Sequence, residues 1–315
     1  MMCGSETTTP KRWSSDLLAI VNLVRSLVRL FRVHHWVKNS LVLLPAIAAH
    51  RIFELEIFLS SLKALCTFCL CSSGVYVLND CLDRQSDQTH PLKKSRPIAS
   101  GEISASVGWG LGVGLILTGL FLTLLVSPPA AIWLFAYCLA NLGYSVALKK
   151  LVVADVMLLT SFYLFRLLVG SAASGIPLSP WLMAFCFAIS LSLACCKRYA
   201  ELLTYSDGVS LHERGRGYLR SDAATIHIMG VSSAFASVIV LSLYLDSPTA
   251  SNLYRCPYLL WACCPFVLYW LLRIWILTGR GVLVDDPVTV ALKDWHAWFV
   301  GFISLLIFWL ASSGI

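Results

Sequence analysis

Residues 79–87 read Asn-Asp-Cys-Leu-Asp-Arg-Gln-Ser-Asp and follow directly on an apolar stretch that is long enough to cross a membrane. If one helix continues through this run, Asp80, Asp83 and Asp87 fall within roughly 60° of arc, because each residue turns the helix by about 100°. Carboxylates on one face repel one another unless a cation lies between them, and such oxygen ligands suit Mg²⁺ that also coordinates a phosphate. The run therefore predicts a metal and diphosphate site at the end of a membrane helix. A solvated acidic turn is the alternative, although ionisable residues at membrane depth are usually functional.

The rest of the chain is apolar in long blocks. Its 315 residues are 58% apolar and 13% charged, with a mean hydropathy of +0.76, a composition that excludes a single water-soluble core. The blocks predict an all-α, polytopic membrane protein with about nine transmembrane helices. The first block is short and contains Pro45, so its limits are the least defined. The blocks lie near residues 37–49, 57–79, 105–126, 129–148, 151–172, 181–203, 223–246, 257–278 and 296–314.

A different kind of segment precedes these blocks. Between Asp16 and Val33, apolar residues recur at helical spacing, while Arg25, Arg29 and Arg32 fall together elsewhere. This pattern predicts a basic amphipathic helix on an anionic membrane surface, and a packed helix with a solvated basic face is the alternative. No small-residue cleavage site follows it, so we expect a cytoplasmic N-terminus. We divide the chain into a cytoplasmic N-terminal segment, residues 1–34, and a transmembrane catalytic domain, residues 35–315.

Lys and Arg residues mark every second connection between the blocks. They are frequent after the second, fourth, sixth and eighth blocks, whereas only Arg51 and Arg255 fall in the alternate connections. Because cationic loops accumulate on the cytoplasmic side, this supports nine spans and places the acidic run at the cytoplasmic face of the cell membrane. Topology and anionic ligands explain the formal net charge of +7. The chain has no basic soluble module with interleaved aromatic residues, and we expect no nucleic-acid partner.

A stiff cationic loop follows the acidic run. Residues 90–101 contain two separated prolines, with Lys93, Lys94 and Arg96 close together among them. Beside metal-binding carboxylates, these cations would form the second side of a clamp for a diphosphate and neutralise charge on a leaving group. A loop that is basic only because it is cytoplasmic is the alternative.

A second polar stretch closes the sixth block. Residues 197–201 read Lys-Arg-Tyr-Ala-Glu, and further charged residues follow at 207, 212–214 and 216. Cations dominate this second stretch and make it a candidate phosphate site. Lys197 and Glu201 are four residues apart, so a simple helical salt bridge is the alternative.

Polar residues also occur inside the apolar blocks. Arg166 lies deep in its block, with Asp155 earlier in the same segment. An intramembrane Arg needs an anionic partner, which is either an internal carboxylate such as Asp155 or the phosphate of a lipid substrate. Near the first block, Lys38 and Asn39 either reach into a polar cavity or belong to an interfacial belt beside Trp36.

Together these motifs resemble the UbiA superfamily of intramembrane prenyltransferases. The resemblance covers nearly the whole chain from about residue 30. Within that superfamily, the chain most resembles the decaprenyl-phosphate phosphoribosyltransferases. It implies an all-helical bundle around a central polar cavity that opens to the cytoplasmic face and sideways to lipid. The matching stretches are Trp36-Val37-Lys38-Asn39, residues 79–87 with His90-Pro91, residues 96–101, Tyr144-Ser145, Asp155 and residues 197–201.

The resemblance implies a reaction and roles for these residues. In that branch, 5-phosphoribose moves from 5-phosphoribosyl 1-pyrophosphate to polyprenyl (decaprenyl) phosphate, pyrophosphate leaves, and the product supplies cell-envelope arabinan. Mg²⁺ would be held by Asp80, Asp83 and Asp87, with Asn79 orienting a carboxylate or the ribose hydroxyls. The remaining residues expected to bind substrate are Lys38, Asn39, Lys93, Lys94, Arg96, Tyr144, Asp155, Arg166, Lys197, Arg198, Tyr199 and Glu201.

Two other functions remain as alternatives. A prenyltransferase of the same superfamily would move a prenyl chain from prenyl diphosphate to an aromatic or other acceptor. Aromatic-acceptor members carry a second Asp-rich motif after the sixth helix, whereas this chain has mostly Lys and Arg there. A membrane transporter is the more remote alternative, because many apolar helices with internal charges also describe permeases. The sequence leaves the oligomeric state open, a homo-oligomer included.

Overall fold

The computed structural model describes residues 11–89, 93–204, 216–282 and 294–313, and within these ranges it is helical and contains no β-strand. The all-α prediction is therefore confirmed. The α-helices are α1 (Lys11–Leu30), α2 (Leu44–Ala48), α3 (Leu55–Leu82), α4 (Arg84–Thr89), α5 (Ala105–Val126), α6 (Pro128–Val146), α7 (Ala154–Ser174), α8 (Pro180–Leu203), α9 (Ala223–Leu245), α10 (Pro248–Leu253), α11 (Cys263–Gly279) and α12 (Trp295–Ser313).

Eight helices in the described ranges are long and apolar enough to span a membrane. The first predicted block differs from them, because it forms a 3₁₀ helix, Val33–Leu43, that continues into the short α2. With rises of about 2.0 Å per residue in a 3₁₀ helix and 1.5 Å in an α-helix, the two together are about 30 Å long. That length matches a hydrocarbon core. The predicted count of about nine is therefore approximate: eight long α-helices qualify within the described ranges, and the first block is the one that does not form such a helix.

Helix α1 forms where the amphipathic pattern predicted a helix. Its C-terminal residues Leu27 and Leu30 pack with Val77, Cys81 and the loop before α5, so this end is anchored to the bundle. Farther toward its N-terminus, large apolar side chains are more than half exposed, among them Leu17 at 68%. An exposed apolar stripe on a basic helix is typical of a helix that lies in a membrane interface.

Glycine residues bring α3 and α5 into close contact. A Cβ atom added at Gly112 would lie 2.8 Å from Leu78 Cγ, and one at Gly74 would lie 2.7 Å from the carbonyl oxygen of Gly112. Small residues at such contacts allow membrane helices to approach closely and gain van der Waals packing. Helix α3 carries the acidic run at its C-terminal end, so this contact holds the run in place.

Gly170 of α7 makes a similar contact with the 3₁₀ helix. Replacing it with Ala places a Cβ atom against the carbonyl oxygen of Val42, and backbone atoms cannot move aside as a flexible side chain can. We expect Gly170→Ala to lower the free energy of unfolding by roughly 1–3 kcal/mol. Thermal unfolding of the purified protein in detergent measures this change.

Gly110→Ala is the matched control, because a Cβ atom there has nothing within 4 Å. We expect it to be neutral or slightly stabilising, since Ala favours a helix more than Gly does. Equal unfolding temperatures for the two variants would show that the 3₁₀ helix does not pack on α7 as described.

The polar motifs meet at one end of the bundle. Antiparallel connections bring together the C-terminal ends of α3, α6 and α8 and the N-terminal end of α7. Ser127 accepts a hydrogen bond from Ala130 N at 3.4 Å and caps α6, which allows a short turn after α5 at the opposite end. The residues before α7 and after α3 are therefore neighbours although they are far apart in sequence.

Candidate active site

A cavity of about 550 Å³ opens at this end of the bundle. Its described lining carries eight Lys or Arg side chains but only two carboxylates, those of Asp83 and Glu201. Such an excess of cations at membrane depth is costly unless anions bind among them. The cationic lining residues are Arg32, Lys38, Lys93, Arg96, Lys149, Arg166, Lys197 and Arg216.

The acidic run is nearly, but not fully, continuous with α3. The helix ends at Leu82, Asp83 has φ −88° and ψ 5°, and α4 begins at Arg84. Asp83 N still donates to the carbonyl oxygen of Asn79 at 2.9 Å. Asp87 N likewise donates to the carbonyl oxygen of Asp83 at 2.8 Å, so the helical path continues from α3 into α4 with a local change of backbone at Asp83.

The three carboxylates of the run do not converge on one point in the described structure. Asp83 lines the cavity, whereas Asp80 and Asp87 are 3% and 2% exposed and are not part of its lining. No group of three His, Cys, Asp or Glu residues within the described ranges is close enough to hold one metal ion. Asp80 and Asp87 share Arg96 and Asp83 pairs with Lys149, and a metal role for all three acids stays a prediction.

Each acid of the run is bonded to a cation of the same chain. Arg96 bridges Asp80 and Asp87 at 3.1 and 2.6 Å, and Lys149 binds Asp83 at 2.9 Å. Arg32, from the junction after α1, adds a second contact to Asp80 at 2.5 Å. These ion pairs offset the repulsion among the carboxylates.

The donor chemistry of this region nonetheless fits a divalent cation. Asn79 lines the cavity, and its buried Oδ1 atom has no hydrogen-bond donor among the described residues. A buried amide oxygen without a donor calls for an explanation, and a metal ion is one. Asn79 Oδ1 and the carboxylate of Asp83 line the same cavity, and both are hard oxygen ligands of the kind that Mg²⁺ prefers.

A second ion-pair network lies on the other side of the cavity. Arg198 is 1% exposed and binds Asp155, which is fully buried, with Nε to Oδ2 at 2.7 Å. Arg198 also pairs with Glu201, to which Arg216 contributes a further contact at 3.1 Å. Tyr144 donates from its hydroxyl to Asp155 Oδ1 at 2.8 Å. Arg198 and Asp155 thus join α7 to α8, while Glu201 and Tyr144 face the cavity.

Some of the cations predicted in the two loops line the cavity, and others do not. Lys93, Arg96 and Lys197 line the cavity, whereas Lys94 is exposed and lies outside it. Tyr199 also lies outside the lining and packs with the rings of His227 and Trp275, at centroid distances of 5.0 and 5.9 Å. The sequence candidates His90, Pro91, Asp207, His212, Glu213 and Arg214 lie outside the described residues.

Burial lowers the pKa of Lys93, and the nearby guanidinium of Arg96 lowers it further. Carboxylates at Asp87, Glu201 and Asp83 act in the opposite direction, yet the net shift remains downward. Burial therefore outweighs the nearby carboxylates in its effect on the pKa of Lys93. A further anion beside Lys93 would raise that pKa.

Arg166 and Asn39 are bonded to each other deep in the cavity. Arg166 is 4% exposed, and its Nε donates to Asn39 Oδ1 at 2.9 Å. Asp155 is not its partner, since Asp155 is bonded to Arg198. Lys38, next to Asn39 in the chain, also lines the cavity.

Sequence reasoning left several lining residues out of the candidate set. Arg32 and Lys149 bind acids of the run, but in the sequence they indicate only a basic helix face or the membrane topology. Arg216, which the sequence places in the second polar stretch without a role of its own, binds Glu201. Their spacing along the chain carries no sign of these partners. Their position on the predicted cytoplasmic side, together with the acids, was the signal that could have indicated them.

Comparison with known proteins finds a match to the model of the UbiA prenyltransferase family over residues 40–287. A decaprenyl-phosphate phosphoribosyltransferase from Mycobacterium tuberculosis is 30% identical over 87% of this chain and 89% of its own length. An uncharacterized protein from Sinorhizobium fredii is 32% identical over 86% of this chain. The present chain spans about half of that protein, 52% of its length.

The solved structure of a UbiA homolog from Archaeoglobus fulgidus bound to DMAPP and Mg²⁺ has a similar fold. The TM-score is 0.67, with 13% sequence identity, over 90% of this chain and 98% of that one. At this identity the likeness concerns the arrangement of helices. It agrees with a multi-pass membrane bundle.

Proposed function

The chain belongs to the UbiA prenyltransferase family, and from this premise we propose that it is an Mg²⁺-dependent polyprenyl-phosphate phosphoribosyltransferase. It moves 5-phosphoribose from 5-phosphoribosyl 1-pyrophosphate to a polyprenyl phosphate such as decaprenyl phosphate and releases pyrophosphate. The reaction takes place at the cytoplasmic face of the cell membrane. Its product is a lipid-linked pentose phosphate of the kind that a cell-envelope arabinan pathway consumes.

The positive charge of the cavity is the main observation that supports this proposal. Among the described residues, eight Lys or Arg side chains line the cavity and Arg198 lies behind it. Five carboxylates belong to the same ion-pair networks, those of Asp80, Asp83, Asp87, Asp155 and Glu201, so the cations remain in excess. A prenyl diphosphate with a neutral acceptor brings a single anionic group, which Mg²⁺ and two or three cations satisfy. The phosphoribosyl donor and the lipid acceptor together bring a diphosphate and two monophosphates, which match the wider spread of cations. The relatives named as phosphoribosyltransferases point the same way.

The residues suggest how the reaction proceeds. Asn79 and Asp83 would hold Mg²⁺, while the cavity-lining Arg96 joins Asp80 and Asp87 to each other. The metal, when bound, neutralises the diphosphate and makes it a better leaving group. Lys93, Arg96 and Lys149 stabilise the charge that grows on that group as the bond to the anomeric carbon breaks.

The acceptor needs little activation by the protein. The phosphate of a polyprenyl phosphate is anionic near neutral pH, so one of its oxygens forms the new bond to the anomeric carbon without a general base. The electron pair of the broken bond leaves with pyrophosphate. Positioning of the two substrates among fixed charges therefore provides most of the catalysis.

An exchange assay on the purified protein in lipid nanodiscs tests the proposal. We expect ribose-labelled 5-phosphoribosyl 1-pyrophosphate, polyprenyl phosphate and Mg²⁺ to yield a labelled lipid, and excess EDTA to abolish the signal. A parallel arm supplies labelled prenyl diphosphate with aromatic acceptors, and a third measures flux of the sugar phosphate into proteoliposomes. Label transfer only in the prenyl arm, or flux without a chemical change, would overturn the phosphoribosyl assignment.

A further inference from the structure

Arg166 lies much deeper in the molecule than the other cations of the α7 and α8 region. It follows Asp155 by 11 residues on the same helix, and at about 1.5 Å per residue this is roughly 16 Å along the axis of α7. It nevertheless lines the cavity. The cavity therefore has a cationic mouth and a separate cationic floor.

A dedicated set of contacts orients this guanidinium. Its Nε donates to Asn39 Oδ1 at 2.9 Å, and a terminal nitrogen donates to the carbonyl oxygen of Phe162. The Nδ2 atom of Asn39 in turn donates to Ser72 Oγ at 3.0 Å and contacts Cys69 Sγ at 3.3 Å. Asn39 thus presents its oxygen to Arg166.

No carboxylate of the described residues forms an ion pair with Arg166. Its guanidinium carbon instead lies over the rings of Phe68, Tyr137 and Tyr163, at 5.2, 5.7 and 5.5 Å from their centroids. Aromatic faces and neutral hydrogen-bond acceptors compensate a buried cation less well than an anion does. Asp155, one helix end away, is already bonded to Arg198.

The surroundings of Arg166 indicate which anion completes the site. Near the mouth the lining is polar and charged, as suits a sugar phosphate that arrives from water. Around Arg166 it includes aromatic and aliphatic side chains of α3, α6 and α7, which suit isoprenoid carbons. These lining residues are Val75, Tyr137, Leu159, Phe162 and Tyr163.

We propose that Arg166, oriented by Asn39, binds the phosphate of the acceptor lipid and so sets the specificity for a phosphorylated acceptor. This inference rests on the proposed function and adds the position of the acceptor to it. Lys38 lines the same cavity and belongs to the same 3₁₀ helix as Asn39, so it is a candidate second contact to that phosphate. The sugar donor then occupies the mouth of the cavity, and its anomeric carbon lies between its own pyrophosphate and the phosphate of the lipid.

Steady-state kinetics of Arg166→Gln measure the effect. We expect the KM for polyprenyl phosphate to rise roughly 10- to 100-fold, because a charge-assisted contact to the phosphate is lost. The KM for the sugar donor should change less than about twofold, since the donor keeps its own contacts. Lys197→Ala, at the mouth, should show the opposite pattern, with the donor KM raised.

Asn39→Asp separates a binding role from a structural one. The new carboxylate supplies Arg166 with an internal anion, which offsets the loss of the amide hydrogen bond to Ser72 Oγ, so we expect the protein to remain folded. The same carboxylate competes with the lipid phosphate, and we expect the KM for polyprenyl phosphate to rise in this variant too. An unchanged lipid KM with normal thermal stability would mean that Arg166 serves only the structure.

A direct binding measurement tests the acceptor site separately from the proposed reaction. Native mass spectrometry of the wild type and Asn39→Asp in nanodiscs compares retention of polyprenyl phosphate with that of the uncharged polyprenol. Weaker retention of the phosphate alone in the variant supports the acceptor site even if no phosphoribosyl transfer is found. A raised donor KM with an unchanged lipid KM in Arg166→Gln would place the ribose 5-phosphate at Arg166 and overturn the inference while leaving the reaction intact.

Discussion

Asp83→Asn is expected to lower kcat by about 10²- to 10³-fold while the protein remains folded. Asp83 is the one acid of the run that lines the cavity in the described structure, and it shares that cavity with the unsatisfied oxygen of Asn79. Asn has the same shape and keeps one oxygen, so the change removes charge with little loss of packing. Asp83 is 27% exposed in its side chain, so the loss of its bond to Lys149 costs little stability.

The measurement is product formation at saturating substrates across a titration of Mg²⁺. A loss of metal binding also shifts the Mg²⁺ dependence to higher concentration. Asp87→Asn is the matched control, because Asp87 is buried and bonded to Arg96, which keeps Asp80 as a second partner. We expect a smaller loss of kcat for it, and activity of Asp83→Asn above one tenth of wild type would contradict the assigned metal role.

Arg198→Met is expected to destabilise the fold by about 3–5 kcal/mol. The substitution keeps an apolar stem of similar length but leaves Asp155, which is fully buried, without its cation. Glu201 retains Arg216, so the unbalanced charge is concentrated at Asp155. Thermal unfolding in detergent, followed by tryptophan fluorescence, should show a clearly lower midpoint than for the wild type.

The adjacent residue supplies a sharp comparison. Lys197 lines the cavity, whereas Arg198 does not, so Lys197→Met should reduce activity and leave the unfolding midpoint nearly unchanged. The double variant Asp155→Asn with Arg198→Met should recover part of the lost stability, because it removes the uncompensated charge. An unfolding midpoint for Arg198→Met equal to that of Lys197→Met would show that the buried pair is not formed.

The broad architecture was accessible from the sequence because it follows from local patterns. Long apolar blocks predict membrane helices, and the alternation of basic loops predicts which ends of the helices meet. The acidic run and residues 197–201 were therefore expected on one face, and the structure does bring Asp83, Lys197 and Glu201 to one cavity.

The individual roles were not accessible, since they depend on contacts between distant segments. Lys197 and Arg198 are adjacent and both basic, yet helical geometry turns one into the cavity and buries the other against Asp155. Likewise, an ideal helix through residues 79–87 predicts three acids that face one ligand, whereas Arg96 pairs with Asp80 and Asp87 and Lys149 pairs with Asp83. Periodicity alone cannot anticipate a partner that comes from another part of the chain.

The ion pairs at the acidic run affect how the protein folds and persists in a cell when magnesium is scarce. Because Arg32, Arg96 and Lys149 already neutralise Asp80, Asp83 and Asp87, no imported ion is required to keep these acids compatible with a membrane interior. We therefore expect the chain to fold without a bound metal, unlike small domains that unfold when their metal is removed. Under the proposed dependence on Mg²⁺, starvation for magnesium should stop the reaction without exposing the protein to degradation, and resupply should restore activity without new synthesis.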